Sequence, residues 1–171
     1  MATAVPDAKP IFPLGPHHDR QAFSSGEPSL DIYLQRQASQ DIRRRVAQVF
    51  VLTGNTPESI AGYYSLSAAS FERTELPETQ AKRLPHYPVP AAILGRLAVD
   101  RLYQGKRHGE TLLLDAVHRV VQASAVVAMN AVLVDALNDA AVRFYLRYGF
   151  IPLLTNPRRL FLSLDTFIKA G

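Results

Sequence analysis

The stretch that decides the fold is "AAILGRLAVDRLYQGKRHGETLLLDAVHRV", Ala91 to Val120. It opens with an apolar run of the kind that forms a strand buried on both faces. "DRLYQGKRHG" follows, a turn that holds two glycines, Lys106, Arg107 and His108. From Glu110 onward, Leu112, Leu113, Ala116, Val117, Val120 and Val121 recur at the helical period. Strand, basic glycine turn and amphipathic helix thus follow one another. The first N–H groups of a helix lack internal partners, and the helix dipole places partial positive charge there. Glycine lets a ligand come close to the backbone. Such a turn suits a phosphate or pyrophosphate. The same spacing also suits a plain strand–helix connection hinged on glycine, and spacing alone leaves both readings open. It is neither G-x-x-x-x-G-K-[ST] nor G-x-G-x-x-G.

The rest of the chain supplies a framework around that unit. Residues 1–28 are rich in Pro and Gly, and residues 1–22 read as an irregular leader. In "PSLDIYLQRQASQD", Ser29 is a candidate N-cap, and Leu30, Tyr33 and Leu34 share a helical face. "VAQVFVLTG" and "SIAGYYSLSAAS" read as paired strands across "GNTPE". Residues 72–90, with four prolines and many charges, read as a long loop. "AVLVDAL" is a buried strand. "NDAAVRFYLRYG" is a short helix capped by Asn138 and stopped by Gly149, and "FIPLL" and "RRLFLSL" are closing strands. The order is β–β–loop–β–α–β–α–β–β, which fits one α/β (α+β) domain with a mixed sheet.

The 171 residues are 47% hydrophobic, enough for a core in one domain. Lys and Arg exceed Asp and Glu by 19 − 15 = 4, which favours an anionic partner. With no cysteine, disulfides, thiolate metal sites and cysteine nucleophiles are excluded. The five histidines lack ligand spacing, so no metal is expected. No uncharged apolar run approaches the ~20 residues of a membrane span, and no secretory signal is visible, which is compatible with a cytoplasmic protein.

The spacing Gln104-x-x-Arg107-x-Gly109 resembles the Q/R-x-x-G-x-G/A acyl-CoA motif of the GCN5-related N-acetyltransferase (GNAT) superfamily. "VLVDALNDAAVRFYLRYGFIP" is similar to that family's later strand, Asn-headed helix and Tyr-Gly-Phe ending. "FSSGEPSLDIYLQRQAS" and "ILGRLAVDRLYQG" resemble a narrower group, the acetyltransferase toxins of type II toxin–antitoxin pairs. The resemblance runs from about Phe23 to Leu164. It implies a single GNAT-like domain over residues 1–171, with a mixed, mostly antiparallel central sheet flanked by helices. One position departs from the motif: Arg107 stands where the family usually has glycine. An arginine in a helical φ is not forbidden there, since only a positive φ strongly demands glycine.

The resemblance further implies an acetyl-CoA-dependent N-acetyltransferase of the cytoplasm. Leu97, Ala98 and Val99 would bind the pantetheine arm through backbone groups. Gln104, Gly105, Lys106, Arg107, His108 and Gly109 would receive the pyrophosphate. Asn138, Ala141 and Tyr145 would line the cofactor from the later helix. They also fall at i, i+3 and i+7, on one face. Tyr145 is the expected general acid, and no general base is named. The toxin subgroup acetylates the α-amino group of aminoacyl-tRNA and blocks translation. Its partners are a ribbon–helix–helix antitoxin and, commonly, a second copy as a homodimer. For the tRNA, Arg43, Arg44, Arg45, Lys82, Arg83 and Arg96 are the candidate contacts. Arg43–Arg45 precede a strand, whose alternation would keep all three from facing one ligand. An N-acetyltransferase acting on a protein or small-molecule amine, and a non-catalytic GNAT-like binding module, are the alternatives.

Overall fold

The computed structural model describes residues 10–170. Its seven strands are β1 (Ile11–Pro13), β2 (Gln48–Thr53), β3 (Ile60–Phe71), β4 (Val89–Val99), β5 (Ala131–Asp135), β6 (Ile151–Pro152) and β7 (Arg159–Ser163). They form one sheet in the order β1-β2-β3-β4-β5-β7-β6. The helices are α1 (Pro28–Ile32), α2 (Ala38–Arg43), α3 (Glu78–Ala81), α4 (His108–Ala123), α5 (Asp139–Arg147) and α6 (Leu164–Ala170). Strands β4 and β5 are parallel because α4 crosses over between them. The pairs β1–β2, β5–β7 and β6–β7 are antiparallel, so the sheet is mixed as expected.

Residues 1–9 of the expected leader lie outside the described residues. The remainder is not irregular throughout: Ile11–Pro13 pair with Phe50–Leu52 as an edge strand, where a proline is tolerated.

The chain packs as two compact units, one made of the chain up to Ser65 together with Leu97–Asp115, the other of Leu66–Arg96 and the chain from Ala116 onward. The first unit is centred on Phe23, Tyr33, Leu34, Ala38, Val49, Val51, Ile60, Tyr63 and Ala98. Pro28 occupies the first turn of α1 behind Glu27, so the helix starts one residue before Ser29, the expected cap. A π-helical turn, Tyr33–Gln37, links α1 to α2, and the Ala38 N–H donates to the Tyr33 carbonyl. The widened turn carries Tyr33, Leu34 and Ala38 into the same cluster. Gly62 on β3 lies under α4. A Cβ there would stand 2.7 Å from the Leu112 Cδ1 and 2.8 Å from the Ala98 carbonyl oxygen.

The second unit is centred on Phe71, Leu76, Ala81, Val89, Ala91, Ala131, Leu133, Leu153 and Phe161. Phe71 and Phe161 meet edge to face at 5.3 Å between centroids, a favoured aromatic geometry. Residues 72–90 are not a plain loop. They hold a 3-10 turn, Arg73–Glu75, and α3, and they send Leu76 and Ala81 into this core. The turn is self-capped, the Glu75 carboxylate accepting from the Glu72 amide at 2.8 Å. Helix α6, not anticipated, packs Phe167 against His118 of α4 at 5.9 Å.

Candidate functional site

In the first unit, the site residues follow directly from the end of β4. The register of β4 with β5 closes at Leu94–Val134, whereas β4 runs on to Val99. Asp100 comes next and is buried, with both carboxylate oxygens engaged: one accepts from the Ser24 amide at 2.9 Å, the other from the Leu102 amide at 3.0 Å. It caps the 3-10 turn Arg101–Tyr103. The Tyr103 hydroxyl accepts from the Asn55 amide at 3.0 Å, tying that turn to the β2–β3 connection. The Gln104 side chain turns inward and donates to the Ser25 and Val99 carbonyls, each at 2.8 Å.

After the extended Gln104, the backbone turns left-handed at Gly105 and again at Arg107. Gln104 has φ −71°, Gly105 +81° and Arg107 +62°, while Lys106 is not among the positive-φ residues and His108 begins α4. A left-handed residue joined to the right-handed start of a helix, as Arg107 is to His108, turns successive amide N–H groups towards a common point, a concavity suited to anions. Arg107 therefore stands in the region that does demand glycine. The residue adopts the left-handed conformation that favours glycine, at a steric cost to an L side chain. Its carbonyl accepts from the Thr111 amide and hydroxyl, both at 3.2 Å, and so starts α4. Helix α4 is 16 residues long and carries the dipole of an anion site at this end. Gln104 through Arg107 are exposed, with His108 and Gly109 half-buried, so the turn is open to a ligand. Those features fit a pyrophosphate: a backbone concavity, a long helix behind it and the cations of Lys106 and Arg107.

In the second unit, α5 displays the later set. Asn138 caps it, its side-chain oxygen accepting from the Ala141 amide at 2.9 Å. Gly149, at φ +89°, ends it, as expected. Ala141 is half-buried and Tyr145 only 3% exposed. Phe144 and Phe150 lie edge-on to Tyr145 at 5.2 and 5.6 Å. Burial, with a smaller contribution from the Asp135 carboxylate, pushes the Tyr145 hydroxyl well above the usual tyrosine range. Asp135 is itself gripped by Arg159 through two hydrogen bonds, 2.8 and 3.1 Å.

The expected RNA contacts are placed as follows. Arg43–Arg45 are exposed and end α2 rather than enter a strand. Arg45 takes a left-handed φ of +59° just past the helix, and the Val46 amide returns to the Asp41 carbonyl at 3.0 Å. Strand alternation therefore does not govern these three side chains. Lys82 and Arg83 are exposed after α3, and Arg96 is half-buried on β4. Ser24 and Ser25 escaped the sequence reading as site residues. The "FSSGEP" segment was legible only as a family marker.

The profile of the Acetyltransferase (GNAT) family matches residues 17–150. A tRNA-acetylating toxin of Mycobacterium tuberculosis (strain ATCC 25618 / H37Rv) is 39% identical over 144 residues, covering 84% of this chain and 85% of the relative. The structure of AtaT complexed with acetyl-methionyl-tRNAfMet superimposes with a TM-score of 0.88 at 34% identity, covering 94% of this chain and 98% of AtaT. A Tyr-to-Phe mutant of AtaT bound to the C-terminus of the antitoxin AtaR and acetyl-CoA gives 0.81 at 32% identity, covering 94% and 96%. With that profile spanning most of the chain, and with the glycine turn and the Asn-capped helix in the order the resemblance required, the protein belongs to the GNAT family of acetyltransferases.

Proposed function

We propose that the chain is an acetyl-CoA-dependent toxin that acetylates the α-amino group of aminoacyl-tRNA in the cytoplasm and so blocks translation, held in check by a ribbon–helix–helix antitoxin. The observation that carries the reading is the exposed glycine turn with left-handed Gly105 and Arg107 running into the start of α4, a backbone cradle suited to a diphosphate. The relatives supply the acceptor: tRNA acetylation is the named activity of the mycobacterial relative, and acetyl-methionyl-tRNAfMet is bound in AtaT. The antitoxin AtaR bound to AtaT supports the partner. The assembly is read as a homodimer, and residues 1–171 as a single catalytic domain.

When bound, acetyl-CoA supplies an acetyl group activated as a thioester. Gly105–Gly109 hold its diphosphate through backbone amides, with Lys106 and Arg107 adding charge. The backbone of Leu97–Val99 would take the pantetheine arm, and Asn138 and Ala141 are further candidates for binding the cofactor. Tyr145 keeps a proton at Oη because its ionised form is disfavoured, so it is poised as general acid towards the departing sulfur. No side chain is assigned as base. The α-amino group of an aminoacyl ester is weakly basic and reacts without one. Arg43–Arg45, Lys82, Arg83 and Arg96 contact the tRNA.

The test is incubation with labelled acetyl-CoA and charged tRNA, uncharged tRNA, a polyamine or a peptide amine, followed by mass spectrometry of the released aminoacyl groups. Label on the amino acid of charged tRNA alone is expected. Label on the polyamine or peptide instead would transfer the assignment to another amine acceptor. Failure of acetyl-CoA to bind would leave a non-catalytic module.

A further inference from the structure

The segment Ser24–Ser25 is stitched to the turn that follows β4. The Ser24 amide donates to Asp100 Oδ2 at 2.9 Å, and the Arg101 amide returns to the Ser24 carbonyl at 2.9 Å. One residue on, the Ser25 carbonyl accepts from Gln104 Nε2 at 2.8 Å. The same nitrogen donates to the Val99 carbonyl at 2.8 Å, so both of its N–H groups face carbonyl acceptors. That fixes the amide orientation: the NH2 side, not the oxygen, must point inward. The segment is rooted in turn. Asp31 Oδ1, in the first helix, accepts from the Ser25 amide at 2.9 Å and from its hydroxyl at 2.6 Å. Asp100 is only 6% exposed, so its bonds are shielded from competing water.

We propose that Ser24–Ser25 form a strut for the anion-binding turn and that Gln104 is a positioning residue. Its side chain sets the distance between the end of β4 and the turn, and does not touch the cofactor. The residue that opens the acyl-CoA motif thus acts on the wall behind the site. The inference rests on the reading that Gly105–Gly109 hold a diphosphate. If strut and ligand favour the same turn conformation, each must strengthen the other, because coupling between sites is reciprocal. Acetyl-CoA should then slow amide hydrogen exchange at Ser24 and Ser25, far from it in sequence.

The experiment compares the full chain with Gln104→Glu and Gln104→Arg. Glu keeps the shape but sets oxygens against two carbonyl oxygens, whereas Arg restores N–H donors. Calorimetry with acetyl-CoA should show an affinity loss of about tenfold or more for Gln104→Glu and recovery in Gln104→Arg. With charged tRNA as acceptor, KM for acetyl-CoA should rise by the same factor while kcat at saturating cofactor is retained. In the wild-type chain, acetyl-CoA should slow exchange at Ser24 and Ser25. That measurement needs no variant and stands even if Gln104→Glu fails to fold. Equal affinity in Gln104→Glu, equal loss in both variants, or unaltered exchange at Ser24 and Ser25 while acetyl-CoA binds would overturn the strut. A wild-type chain that binds no acetyl-CoA would instead remove the diphosphate reading beneath it.

Discussion

Asp135 and Arg159, 24 residues apart, form a two-pronged ion pair between neighbouring strands β5 and β7, and the same carboxylate helps to keep Tyr145 protonated. Burial is the larger cause of the raised tyrosine pKa. Asp135→Asn should therefore lower it only in part, leaving it above the model-peptide value of about 10. The alkaline limb of the kcat profile should shift to lower pH, and the tyrosinate absorbance titration should move with it. An unmoved limb would separate Tyr145 from the rate-limiting proton transfer.

Replacing the proposed acid itself should do more. Tyr145→Phe preserves the ring contacts with Phe144 and Phe150. It should reduce kcat on charged tRNA by about a hundredfold or more, the usual contribution of a general acid. Acetyl-CoA affinity by calorimetry should stay within about twofold of wild type.

Arg107 offers two effects of opposite sign. An L side chain in the left-handed region costs roughly 1–2 kcal/mol, part of which glycine would return. Arg107→Gly should raise the melting temperature slightly. It should also weaken acetyl-CoA binding and flatten its salt dependence, because one cation beside the diphosphate is lost. A tighter complex would instead assign the arginine to crowding the site.

His18 makes stability depend on pH. It is buried, and its Nδ1 accepts from the Gly15 amide at 2.9 Å. Burial, then the charges of His17 and Arg20, lower its pKa below the ordinary 6.5. The folded state thus resists a proton that the unfolded chain accepts. The contribution is present above about pH 6.5 and is lost as pH falls below it, at no more than about 1.4 kcal/mol per pH unit. Urea unfolding at pH 7.5 and 5.5, values bracketing the histidine range at about 6.5, should show a smaller pH penalty in His18→Gln than in wild type.

The exposed arginines at the end of α2 predict an electrostatic response. Each phosphate contact removed from a tRNA complex should lower the slope of log affinity against log salt by about 0.7–0.9. Joint replacement of Arg43, Arg44 and Arg45 by Gln should reduce that slope and weaken different tRNAs alike. An unchanged slope would place the RNA elsewhere.

Local chemistry made much of the fold legible. The apolar run of β4, the glycine turn, the 3.6-residue pattern of α4 and the Asn138 cap all lie in short windows of sequence. What the sequence did not disclose depends on distant partners or on backbone handedness. Gln104 turns inward to a carbonyl 79 residues away in the chain. The φ of Arg107 reflects the demands of the turn over the preference of the residue. Residues 72–90 looked like loop because prolines and charges dominate them, yet Leu76 and Ala81 find a core to enter. Helix α6 is too short for its pattern to outweigh its position after a strand.

The π-helical turn at Tyr33–Gln37 holds one residue more than the α-helical turns on either side of it. Arg36 and Gln37 of that turn are exposed, and loss of either would let the segment close to 3.6 residues per turn. The Ala38 amide would then meet the Tyr33 carbonyl four residues away instead of five, and Ala38 would keep its face. A single-codon deletion here is therefore absorbed by the helix, whereas one within α4 would turn every later residue of that helix by about 100°.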